Sequence, residues 1–137
     1  MLHNNSFAIT NRTRYIIPRS LLERAFRIAV KHHIIDISVV FVGNRTMKTL
    51  NKQWRGKDAQ TNVLAFPLNK TQGEIVINPY QAEREAKNIG VSFAMRAVYL
   101  FVHGLLHLQG YDHEREEEAE KMEKKEREIM QNVKIKM

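Results

Sequence analysis

Three of the chain's six histidines fall within "FVHGLLHLQGYDHE", residues 101–114. His103 and His107 stand four apart, so on a helix they lie roughly 6 Å apart along the axis and on nearly the same face. Two imidazoles so placed can converge on one ion. Gly110 is the natural place for that helix to end, because glycine enters the left-handed conformation without steric cost. The chain can then double back and bring His113 to the same point. Three neutral imidazole nitrogens at about 2.0–2.1 Å, with a fourth position left to water, describe a catalytic zinc site. A closed structural site needs a fourth protein ligand, and the only local candidate is Asp112, which can instead orient a ligating histidine from outside. One Zn2+ per chain is the expected occupant, although three imidazoles also accept Ni2+ or cobalt. His32 and His33 read differently: they close a helix, where cationic groups suit the C-terminal dipole. His3 belongs to the tail.

The chain has no cysteine, which excludes a disulfide scaffold, thiolate metal sites and cysteine nucleophiles. The spacing H-x-x-x-H-x-x-G-x-x-H matches the ligand frame of metzincin peptidases, in which a glutamate follows the first histidine and activates water. Gly104 occupies that position here. The frame can hold zinc but lacks the peptide-cleaving base.

The elements that must position these residues can be read from periodicity. At 137 residues, 43% of them hydrophobic, the chain is expected to form one domain over residues 1–137 with a core of its own. "PRSLLERAFRIAVKHH" opens with Pro18 and spaces Leu21, Leu22, Ala25, Phe26, Ala29 and Val30 on one helical face. "DISVVFVG" is a strand that stops at Gly43. Asn44 is a candidate cap for the helix "RTMKTLNKQWR", with Met47 and Leu50 inward. "TNVLAFPL" and "GEIVINP" are short strands, and "YQAEREAKNIG" is a helix closed by Gly90. Ser92 starts a long apolar helix that runs to about Gln109 and carries His103 and His107. Beyond His113, "EREEEAEKMEKKEREIMQNV" is helical, with Met122, Ile129 and Met130 among its few apolar contacts. This order fits an α+β class better than a doubly wound sheet.

"VSFAMRAVYLFVHGLLHLQG" is interrupted by Arg96, His103 and His107, so it reads as a core helix and not a membrane span. The N-terminus shows no apolar signal region, and a cytoplasmic location is expected. The net charge of +7 is unevenly spread: residues 1–57 hold 11 Lys/Arg against 2 Asp/Glu, and residues 101–137 hold 7 against 9. A basic half attached to a neutral one suits a polyanion partner, as well as plain solubility.

With Gly104 in place, "HGLLHLQGYDH" resembles the signature of the YbeY-type endoribonucleases, the rRNA maturation factors of bacteria, at every fixed position. "LNKQWRGKDAQTNVLAFP", residues 50–67, is similar to a second family motif, and "GEIVINP", residues 73–79, to a third. "EAEKMEKKEREIM" is similar to the family's closing helix. The resemblance spans about residues 36–131 in the right order. Ala65 stands where the family usually has serine, and Glu74 where it has aspartate; residues 1–35 carry no matching motif.

The resemblance implies a small, mostly parallel sheet of about four strands packed with helices, with zinc at the end of a long core helix. It implies a zinc-dependent, single-strand-specific endoribonuclease in 16S rRNA 3′-end maturation and ribosome quality control. Its expected partners are single-stranded RNA, the 16S rRNA precursor, the small ribosomal subunit and associated factors, with no membrane and no DNA. His103, His107 and His113 become the metal ligands and Arg55 the functional arginine. The chemistry agrees, since a guanidinium fork fits phosphate in two-point contact and zinc polarises a phosphoryl oxygen. Lys57, Thr61 and Asn62 are further substrate candidates, the last two at the start of a strand expected beside the metal. Trp54 has the spacing of a core anchor, although a base could stack on it. The alternative from another class is a non-catalytic ribosome-assembly factor with a structural zinc and a basic rRNA-binding surface.

Overall fold

The computed structural model describes residues 6–30, 36–57, 59, 61–111 and 114–135. The elements run β1 (Phe7–Asn11), α1 (Arg19–Ala29), β2 (Asp36–Phe41), α2 (Asn44–Arg55), β3 (Val63–Pro67), β4 (Gln72–Ile77), α3 (Pro79–Ile89), α4 (Phe93–Leu108) and α5 (Glu116–Ile135). They form the expected α+β fold around one four-stranded sheet of order β1-β2-β4-β3. The pairings β1 with β2 and β2 with β4 are parallel, and β3 lies antiparallel to β4 at the sheet edge.

Alternation along β2 and β4 divides the core in two. Ile37, Val39, Phe41, Ile75 and Ile77 face a large cluster built with α1, α4 and α5. Val40 and Val76 face the opposite way, where Val42, Met47 and Leu64 form a smaller cluster under α2. Side chains alternate across a strand, so a two-sided apolar strand needs helices on both faces. Helix α4 is buried on nearly all sides, through Val98, Leu100, Phe101, Val102, Leu105 and Leu106 among others. No described helix is by itself long and apolar enough to cross a membrane.

The capping of α4 follows its sequence. Ser92 Oγ accepts from the Met95 amide at 3.1 Å. At the other end Gly110 has φ of 98°, its amide donates to the His107 carbonyl, and the Tyr111 amide donates back to Leu106. This pair of bonds is the Schellman reversal, which satisfies two carbonyls of the last turn.

Two local expectations are corrected and one strand is added to them. β1 was not anticipated: its five residues "FAITN" are short and only half-buried, and it is fixed by pairing with β2 rather than by a pattern of its own. Gly43, not Asn44, is the residue before α2, and Asn44 instead accepts from Asn78 Nδ2 at 2.8 Å. Asn78 and Pro79 belong to the start of α3, where Asn78 caps the Tyr80 and Gln81 amides. His3, His32 and His33 lie outside the described residues.

Gly104 explains its own identity. A Cβ there would stand 3.1 Å from Ile75 Cγ2 and 3.3 Å from Val63 Cγ2, so α4 approaches β3 and β4 over a bare backbone. A glutamate at this position would have to push helix and sheet apart. In Gly104→Ala the gain in helix propensity should offset the tight methyl, leaving stability within about 1 kcal/mol of wild type. Gly104→Val, which adds two further carbons, should lose about 2–3 kcal/mol in urea unfolding.

Candidate functional site

The last two turns of α4 bring His103 and His107 together with their rings nearly perpendicular, centroids 4.7 Å apart. Their Nε2 atoms lie 3.2 Å from each other. Each opposite nitrogen is held. His107 Nδ1 donates to the Tyr111 carbonyl at 3.1 Å, an acceptor delivered by the reversal at Gly110. His103 Nδ1 lies 2.5 Å from Oε2 of Glu126, a residue of α5 that is 4% exposed. A carbonyl and a carboxylate both call for a hydrogen on Nδ1, which leaves each neutral ring with an Nε2 lone pair. Two lone pairs facing at this distance repel, and either a proton on one Nε2 or a metal cation between the rings relieves that repulsion. Two nitrogens on one tetrahedral ion at 2.0–2.1 Å stand about 3.3 Å apart. The donor set therefore fits a zinc-type ion on two of its sides.

Among the described residues no third histidine, cysteine or carboxylate completes a metal-holding group with this pair. His113 and Asp112 lie outside the described residues.

In front of the histidines is a cavity of about 500 Å3. Arg55 and Trp54 enter it from the end of α2, Thr61 and Asn62 from the segment leading into β3, and His103 and His107 from α4. Of the residues singled out from sequence, these are brought together; Lys57 is exposed and is not part of the wall. The edge strand β3 forms the floor, with Ala65 facing the space where a serine would add a hydroxyl.

Arg55 is placed by the end of its helix. Gly56 adopts φ of 69°, and its amide bonds back to Asn51 and Lys52. Asn51 is buried, and its Nδ2 donates to the Ala59 carbonyl at 2.9 Å, tying down the loop that follows. Trp54 departs from expectation: it is 63% exposed and tilts against Phe66 at 5.5 Å. Met47, Asn51 and half-buried Leu50 already fill the inward face of α2, so the last turn overhangs the pocket instead of the core.

Behind Asn62 stands a polar network that the sequence did not announce. Asn62 Nδ2 donates to both carboxylate oxygens of Glu85, at 3.3 and 3.1 Å. Gln81 donates to Glu85 at 3.2 Å, and Arg96 binds it at 2.9 and 3.0 Å. The guanidinium of Arg96 also lies 4.8 Å over the Tyr99 ring. Tyr99 in turn donates to Glu126 Oε1 at 3.5 Å. Burial, then the charge of Glu126, pushes the Tyr99 phenol above its ordinary range, so it remains a donor. A second anchor is Asn78, fully buried, which accepts at its N-cap and donates to Asn44 and to the Thr61 carbonyl. Glu126 did leave a trace in the sequence: it sits in the stripe Met122, Glu126, Ile129, Val133, where an apolar side chain belongs.

The chain matches the family model described as Endoribonuclease YbeY over residues 3–134, which extends the likeness into the N-terminal segment that carried no motif. It is 42% identical over 130 residues to an Endoribonuclease YbeY of a Chelativorans strain, covering 85% of this chain and 80% of that one. A relative of the same description from Persephonella marina is 36% identical over 129 residues, covering 85% and 84%. A solution structure of a Thermotoga maritima protein superposes with a TM-score of 0.69 at 30% identity, covering 93% of this chain and 88% of that one.

The network makes a stability prediction. Glu85→Ala leaves the Arg96 guanidinium half-buried without its carboxylate and removes the acceptor of Asn62. It should lower unfolding free energy by about 2–3 kcal/mol in urea. Glu85→Gln, which keeps one acceptor oxygen, should lose less.

Proposed function

The chain belongs to the endoribonuclease YbeY family, and on that premise we propose a zinc-dependent, single-strand-specific endoribonuclease acting in 16S rRNA 3′-end maturation and ribosome quality control. The observation that carries the reading is the facing pair of Nε2 atoms, 3.2 Å apart, in the same pocket as Arg55. His103, His107 and His113 would hold the ion. When bound, zinc supplies Lewis acidity toward a phosphoryl oxygen.

The rest of the chemistry falls to the chain's own groups. Arg55 clamps the phosphodiester with two parallel N–H donors and offsets the charge that grows on its oxygens. Thr61 adds a hydroxyl donor at the same wall. Asn62 has its nitrogen committed to Glu85, so what it offers the substrate is an acceptor oxygen, suited to a hydroxyl or a base N–H. Trp54, exposed at the mouth beside Phe66, presents a face on which an unpaired base stacks. A duplex has no unstacked base to give it, which favours single strands. Tyr99 and Glu126 keep His103 in one tautomer, and the Tyr111 carbonyl does the same for His107. No carboxylate base is needed in the place of Gly104.

The deciding experiment is cleavage of a single-stranded 16S 3′-precursor by wild type, Arg55→Ala and His113→Ala, each with its zinc content determined. Wild type should cut. Arg55→Ala should keep its zinc and lose about 100-fold or more in rate, and His113→Ala should lose both metal and activity. Equal cutting by all three marks the activity as a contaminant and returns the protein to a zinc-stabilised rRNA-binding role. Glu126→Gln should keep the fold and weaken zinc binding by about 10–100-fold in a competition titration with a chelating dye.

A further inference from the structure

Helix α2 differs from α1, α3 and α5 in its surface charge. On α1, Arg27 pairs with Glu23, on α3 Lys87 pairs with Glu83, and on α5 Lys125 lies 4.0 Å from Glu128. Helix α2 has Arg45, Lys48, Lys52 and Arg55 and no acidic residue at all; residues 37–57 contain neither aspartate nor glutamate. The four cations follow steps of three, four and three, so they form one stripe beside the inward face of Met47 and Asn51. All four are exposed. Like charges at this spacing repel; the helix dipole offsets this for Lys52 and Arg55 in the last turn and adds to it for Arg45 in the first.

The stripe has a shape and a destination. Arg45, Lys48, Thr49, Lys52 and Gln53 line a shallow groove of about 650 Å3 on the outer side of α2. From Arg45 to Arg55 the axis covers about 15 Å, the reach of a few successive phosphates. The last member of the stripe, Arg55, is itself part of the pocket wall. The cations of α2 attract a polyanion that leaves the pocket at Arg55.

We infer that the exposed face of α2 is a substrate track, in which Arg45, Lys48 and Lys52 hold the phosphates of the RNA segment that leads into the pocket at Arg55. This rests on the endoribonuclease reading for its choice of polyanion. The track reads backbone charge and not sequence: its members are two lysines, an arginine and short polar groups, which are phosphate contacts rather than base readers.

The test compares wild type with the triple variant Arg45→Gln, Lys48→Gln, Lys52→Gln, in which glutamine keeps helix propensity. Binding of a fluorescent single strand of about 20 nucleotides is followed by anisotropy across a salt series, together with its cleavage and that of a trinucleotide. Loss of three phosphate contacts should weaken long-strand binding about tenfold or more at low salt and reduce the slope of log K against log salt by about 2. The advantage of the long strand over the trinucleotide in kcat/KM should shrink in step. An unchanged affinity and slope overturn the track while wild-type cleavage stands, and leave the stripe to an acidic protein surface. Weaker binding by the variant with no cleavage by wild type upholds the track as an RNA site and overturns the enzyme reading instead.

Discussion

A helix buried on nearly every side leaves its polar groups little solvent, and α4 carries two half-buried imidazoles near its C-terminal end. Each ring has been given an acceptor for one nitrogen: the Tyr111 carbonyl for His107 and the Glu126 carboxylate for His103. Those two bonds decide the tautomers, and the tautomers decide that both remaining lone pairs meet in the pocket. Much of the fold can be traced to that requirement. The glycine reversal supplies the carbonyl, the docking of α5 supplies the carboxylate, and the bare backbone at Gly104 lets the helix lie close enough to the sheet for β3 to face the same space.

The electrostatic layout follows from which elements contribute to the site. α2 brings Arg55 to one side of the pocket and α5 brings a carboxylate behind it, so positive charge faces the cavity and negative charge lies where an imidazole N–H needs an acceptor. Glu85 performs a parallel task for Asn62, fixing a neutral side chain by a charge that is itself neutralised by Arg96. The pocket wall is therefore set by ionic groups that do not themselves enter the pocket, an arrangement that fixes geometry without placing an opposing charge before the substrate.

What could be read from the sequence was what depends on short-range spacing. The i, i+4 histidines, the glycine after them, the strands β2 to β4 and the apolar helix all announce themselves within a few residues. What escaped depends on partners far along the chain. β1 is a strand because β2, about thirty residues later, pairs with it. Glu126 lies in a helix crowded with glutamates, and only its place in the stripe of Met122, Ile129 and Val133 separates it from its solvated neighbours. Trp54 was misplaced because periodicity tells which side of a helix faces inward and not where the layer beneath it stops. Arg96 reads in sequence as an interruption of an apolar run, yet it holds Glu85 and through it the loop of Asn62.

The position of Glu126 in the last helix has a consequence for biosynthesis. α5 emerges from the ribosome after every other described element, and until it docks, His103 lacks the carboxylate that orients it and α1 lacks the cover of Ile129 and Val133. A nascent chain can thus possess the sheet, the arginine and both histidines, with His107 already held by the Tyr111 carbonyl, while His103 is not yet fixed. Docking of α5 thus completes the orientation of His103 and the cover of α1 in a single step.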